Sequence, residues 1–128
     1  MTNLKKNNLL KTALMSNAVF SLASGIASIL LNGFLAELFL IPNSIFFAIG
    51  IGLILFGGYV IFIASRETIS LEQAKAITFA DLLWVVGSIA LLMIDFGWPS
   101  LAKWIIGIIA LIVADFAFFQ NLGAKRLA

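Results

Sequence analysis

Apolar residues fill most of four long stretches of this chain, at roughly 12–35, 44–64, 77–94 and 101–122, and charged residues other than Asp81, Lys103 and Asp115 are confined to its ends and to short turns. About 20 mostly apolar residues in an α-helix cross ~30 Å of bilayer hydrocarbon. Each stretch meets or nearly meets that length, and the turns are too short to fold as anything else. The pattern predicts an all-α membrane protein, with four transmembrane helices in an up-down bundle forming a single domain over 1–128. Lys5, Lys6 and Lys11 before the first apolar run are reminiscent of a signal peptide, and an Ala-Ser-Gly cluster around Ala23–Ser28 of a cleavage site. The run continues to Asn32 and Gly33, well past the ~7–15 residues of a signal-peptide core. An uncleaved first helix is therefore expected.

The 128 residues are 62% hydrophobic and 11% charged, against about 25% charged in an ordinary soluble domain. Too little polar surface is available to cover a soluble globule. The absence of both cysteine and histidine excludes disulfides, Cys–His zinc sites, histidine-ligated haem, thiol nucleophiles and imidazole acid–base chemistry. No cofactor is expected, and no metal beyond the option of Mg²⁺ between two aspartates. The net charge of +2 follows membrane topology and does not call for nucleic acid. Lys5, Lys6, Lys11, Arg66, Lys75, Lys125 and Arg126 fall on one side of the four-span arrangement, and Lys103 alone on the other. By the positive-inside rule both termini are cytoplasmic. Trp98 and Trp104 then lie near the outer boundary, where indole rings favour the headgroup region. The turn holding Glu67, Glu72 and Gln73 is cytoplasmic. Within it Ser70–Ala76 reads as either a short interfacial helix, with Ser70 and Gln73 as a capping box, or a solvated loop.

The two halves of the chain resemble each other. Asn17, Phe20, Ala23 and Ser24 are spaced as Asp81, Trp84, Gly87 and Ser88 are, at an offset of 64. Pro42, Phe47, Gly50 and Tyr59 are spaced as Pro99, Trp104, Gly107 and Phe116 are, at an offset of 57. A tandem repeat of two helical hairpins follows, over 12–65 and 77–122, related by a pseudo-two-fold axis along the membrane normal. Pro42 and Pro99 each precede a helix, where a missing N–H is harmless.

Polar and small residues mark the faces that avoid lipid. Helix one carries Asn17, Ser21, Ser24 or Gly25, Ser28 and Asn32 along one face, as a packing surface or the wall of a hydrated path. Helix three carries Thr78, Asp81, Trp84, Ser88 and Asp95, and helix four carries Gly107, Leu111, Asp115 and Phe118. Gly25, Gly50, Gly57, Gly58, Gly87 and Gly107 are expected at close helix crossings. Counted at 1.5 Å per residue, Asn17, Tyr59, Asp81 and Asp115 fall in one layer about 6–11 Å inside the cytoplasmic boundary, one from each helix. With Ser21 and Trp84 they form the candidate ligand- or ion-binding site. A carboxylate near the middle of a span costs ~2.5–3.5 kcal/mol and ordinarily faces protein or water. Asp115, the deepest acid, is therefore expected to point inward. The layer reads as a structural lock between helices, a proton or cation site, or a site for a small amphipathic ligand or lipid headgroup.

Ser16-Asn17-Ala18-Val19-Phe20-Ser21-Leu22-Ala23-Ser24-Gly25, with Asp81-Leu82-Leu83-Trp84-Val85-Val86-Gly87-Ser88, resembles small four-helix bacterial inner-membrane proteins. The resemblance covers most of the chain and implies a bacterial inner membrane, but no activity. The size is similar to that of small multidrug-resistance transporters. Those carry a glutamate in helix one where this chain has Asn17, which argues against that assignment. The expectation is a non-enzymatic bundle that binds, and in the fuller version transports, an ion or small ligand. The alternative is an accessory subunit acting through helix–helix contact. Its surroundings are the lipid bilayer and either further copies of itself or another membrane protein.

Overall fold

The computed structural model of the protein describes residues 3–5 and 8–125. Lys6 and Arg126, both counted in the charge asymmetry, lie outside the described residues. Four helices are long and apolar enough to cross a membrane: α1 (Asn8–Leu30), α3 (Asn43–Ala64), α4 (Leu71–Met93) and α5 (Ser100–Lys125). Three short elements accompany them: a strand β1 (Asn3–Lys5) before α1, a helix α2 (Asn32–Phe39) between α1 and α3, and a strand β2 (Thr68–Ser70) between α3 and α4. The strands pair antiparallel, with Leu4 opposite Ile69.

Expected boundaries differ at two places. The first apolar stretch is broken at Leu31 and does not run as one helix to 35. Asn32 donates its side-chain amide to the Ile29 carbonyl at 2.6 Å, a local side-chain bond that competes with the helical ladder. Gly33 follows at the start of α2 and adds poor helix propensity. At the other boundary, 70–76 is neither a separate interfacial helix nor a loop. Ser70 is the N-cap of α4, which runs unbroken from Leu71. The capping box is not made, because the Ser70 hydroxyl forms no cap bond. Pro42 and Pro99 do precede α3 and α5 directly, each accepting a hydrogen bond on its carbonyl from the first turn, at 3.1 Å from Ile45 and 3.1 Å from Ala102.

α1 is the centre of the bundle, packing on α3 and on α5, while α4 packs on α5. Glycine sets the α1–α3 crossing. A Cβ on Gly50 would lie 2.6 Å from the Gly25 carbonyl, and one on Gly25 would lie 2.7 Å from the Gly50 carbonyl. Close backbone approach of this kind is what small residues permit in a membrane. Gly58 and Gly87, expected at crossings, have open space around them, and Gly107 meets only Leu92 at 4.0 Å. The position matching Gly25 in the second half is Ile89, so the glycine pair has no counterpart there. Gly57 against Ala18 and Gly123 against Leu10 are the further close approaches.

Two apolar cores close the bundle at its ends. One joins Leu10, Leu14, Val60, Ile63 and Ile77 with Ile69 of β2. The other joins Phe39, Phe46 and Ala102. Trp98 seals this second end. Its indole N–H donates to the Phe39 carbonyl at 2.6 Å, edge-on to the Phe39 ring and stacked on Phe96 at 4.6 Å. Trp98 is thus tied into the protein, whereas Trp104 is largely exposed.

Candidate functional site

Between the two cores the helices part around a cavity of about 660 Å³, walled by α1, α3, α4 and α5 and by α2 at one end. Its walls are mostly aliphatic and aromatic, among them Phe20, Phe46, Ile49, Phe56, Ile106 and Val113. Ser21, Ser24 and Ser28 of α1 and Ser88 of α4 interrupt them. The polar stripe of helix one therefore does two jobs. Its serines line the cavity, and Gly25 turns toward α3. Asn32, at the end of the stripe, is spent on the Ile29 carbonyl.

Asn17 and Asp81 line the cavity near the core formed around Leu14 and Ile77. They belong to a cluster on three helices. The Asn17 side-chain N–H₂ donates to Asp81 Oδ2 and to Gln120 Oε1, each at 2.8 Å. Gln120 Nε2 donates to the same Asp81 oxygen at 2.9 Å and to Thr78 Oγ1 at 3.3 Å. Ser21 donates to Asn17 Oδ1 at 3.4 Å. Asn17, Asp81 and Gln120 are respectively 1%, 4% and 0% exposed. An amide group carries two N–H donors, and both amides use both of theirs. Every bond that Asp81 accepts falls on Oδ2. Its second oxygen accepts no hydrogen bond from the described residues, while Asp81 itself lines the cavity.

The expected layer drawn from four helices is thus a cluster from α1, α4 and α5. Ser21 belongs to it. Trp84 lines the cavity beside it but is 40% exposed. Tyr59 and Asp115 do not join. Tyr59 is exposed on α3 and borders a separate opening near Arg66. Asp115 is exposed on α5, whose buried face runs through Ala110, Val113, Ala117, Gln120 and Ala124. Those small residues at spacings of three and four marked the inward face, and Gln120 lies on it. The expectation for Asp115 rested on its charge, and for α5 the small-residue stripe was the better guide. No group of three potential metal-ligating side chains gathers among the described residues.

No protein-family model, curated protein or solved structure matches the chain.

Proposed function

We propose that the chain is a non-enzymatic multi-pass protein of a bacterial inner membrane, with both termini cytoplasmic, that binds a small amphipathic ligand in the interhelical cavity. The ligand's apolar body lies along the phenylalanine and isoleucine walls, and its cationic, hydrogen-bond-donating group meets Asp81. The observation that carries this reading is the buried carboxylate at one end of an apolar cavity, with both bonds on one oxygen and the other oxygen open. In a membrane an unneutralised carboxylate is costly, and a bound cationic donor removes that cost. Transport is the same binding step alternating between two openings.

The hairpin repeat draws support from Asn17 and Asp81, which are equivalent at an offset of 64 and hydrogen-bond to each other, as residues beside a two-fold axis do. Antiparallel packing of α1 on α3 and α5, and of α4 on α5, supports the orientation, since it gathers Lys11, Arg66, Lys75 and Lys125 at one end and leaves Lys103 at the other. Asp115, exposed on a membrane-spanning helix, favours a homo-oligomer that covers it. A second reading, an accessory subunit with a purely structural lock, is favoured by the complete use of amide hydrogens in the cluster.

Thermal unfolding in detergent separates the two, with octylammonium, Na⁺, Li⁺ or Mg²⁺ added to wild type and to Asp81→Asn. A ligand of the folded state at 100 times its Kd stabilises by about 2.7 kcal/mol. Asparagine retains an oxygen for both amide donors and lacks the charge. Stabilisation of wild type that vanishes in Asp81→Asn is the expected result. A response that is flat in both proteins overturns ligand binding and leaves the lock.

A further inference from the structure

We propose a second, independent site: the opening between the inner ends of α3 and α4 holds a phospholipid headgroup that carries both a phosphate and a primary ammonium. The opening has a volume of about 320 Å³ and is lined by Tyr59, Arg66, Thr68, Ser70, Glu72 and Gln73.

Ser70 supplies the first argument. It is 7% exposed, and its hydroxyl is buried with no hydrogen-bond partner among the described residues. An unpaired buried hydroxyl is unfavourable, and such groups ordinarily find partners. Ser70 sits at the N-cap of the 23-residue helix α4, yet makes no cap bond. The first-turn N–H groups of α4 therefore lack the side-chain acceptor that an N-cap serine normally provides. A phosphate oxygen at this helix end accepts from those N–H groups and from the Ser70 hydroxyl together.

The charges supply the second. Arg66 and Glu72 line the same opening, and neither forms an ion pair among the described residues. Arg66 lies over the Phe62 ring at 5.6 Å. Two opposite charges that share an opening without bridging each other match a zwitterion. Arg66, with Thr68 and Tyr59, takes the phosphate, and Glu72 takes the ammonium.

The third argument is the seam itself. α1 and α5 pack closely, with Gly123 against the Leu10 backbone and Phe20 against Phe116 at 5.6 Å. At the repeat offsets, Gly123 corresponds to Arg66, and the Phe20–Phe116 pair to Trp84 and Tyr59. α3 and α4 have no comparable helix-on-helix packing; their inner ends meet through the buried core that holds Val60, Ile63, Ala74 and Ile77, and Arg66 lies exposed beside it. Outside that core the seam leaves the opening lined by Arg66 and Glu72, at the level of the inner headgroups. Leu55, Tyr59 and Phe62 form one exposed stripe on α3 beside it, a surface for the acyl chains.

The test is native mass spectrometry of the full chain in detergent, with dioleoyl phosphatidylethanolamine, phosphatidylglycerol or phosphatidylcholine at equal mole fraction, and separately with water-soluble phosphoethanolamine. Wild type should retain phosphatidylethanolamine about tenfold over the other two lipids, the equivalent of one charge-assisted hydrogen bond. Arg66→Gln and Ser70→Ala should each lose that preference, and Lys103→Gln, at the opposite end, should keep it. Ser70→Ala should also raise the lipid-free melting temperature, because it removes an unpaired buried hydroxyl; a serine that merely caps α4 would lower it on removal. Equal retention of all three lipids, a preference unchanged in both variants, or equally strong binding of soluble phosphoethanolamine overturns the proposal.

Discussion

Gln120→Met deletes the polarity of a fully buried side chain while nearly conserving its volume, which makes it the cleanest probe of the three-helix cluster. Three hydrogen bonds disappear: the donations to Asp81 and Thr78 and the acceptance from Asn17. Interhelical hydrogen bonds in membrane proteins average about 0.6 kcal/mol and reach about 1.7 kcal/mol, because the unfolded chain in the membrane also finds partners. Two neutral bonds at the average and one to a carboxylate near the maximum give a loss of about 3 kcal/mol. One Asn17 N–H is also left buried without an acceptor. Asp81→Asn, by contrast, keeps an acceptor for both amides and should cost less than about 1 kcal/mol. Unfolding in mixed detergent–SDS micelles, followed through the fluorescence of the three tryptophans, measures both. The double variant Asn17→Leu/Gln120→Met should lose less than the two single variants added together, since the residues share a bond. A Gln120→Met protein within about 0.5 kcal/mol of wild type would refute the cluster as a source of stability.

The α1–α3 crossing makes a paired prediction. Gly50→Ala places a Cβ 2.6 Å from the Gly25 carbonyl and should cost about 1–3 kcal/mol, whereas Gly87→Ala meets nothing within 4 Å and should be neutral or gain up to about 1 kcal/mol; the same micelle titration reads both. Asp115→Leu should shift the oligomer distribution in light scattering toward the monomer, and an unchanged mass distribution would remove Asp115 from any subunit interface. Because the chain has no cysteine, single substitutions report topology without background. Ser44→Cys should react with an impermeant maleimide from outside intact cells, and Ser65→Cys only after permeabilisation. The opposite pattern would invert the proposed orientation.

The long apolar runs were sufficient to show four membrane-length helices, because in hydrocarbon a backbone has to satisfy its own hydrogen bonds and length then follows from apolar extent. Asn17, Ser21 and Asp81 were legible as inward positions for a related reason: polar atoms on an apolar helix avoid lipid. Gly25 and Gly50 were legible as close-approach positions because glycine lets two backbones meet, but the same signal pointed to Gly58, Gly87 and Gly107, which meet no close neighbour. Tertiary structure alone decided which polar residues meet. Gln120 joins the cluster and Asp115 does not, because rotation about α5 is set by the packing of Ala110, Val113 and Ala117 against neighbouring helices, a property no single residue carries. The pairing of β1 with β2 depends on contacts about 65 residues apart, beyond any local pattern. The cavity is likewise a tertiary feature. It exists because α1 packs closely on α3 and on α5, and α4 on α5, while α3 and α4 have no comparable packing, and a linear pattern of apolar residues does not encode how far apart two helices come to rest.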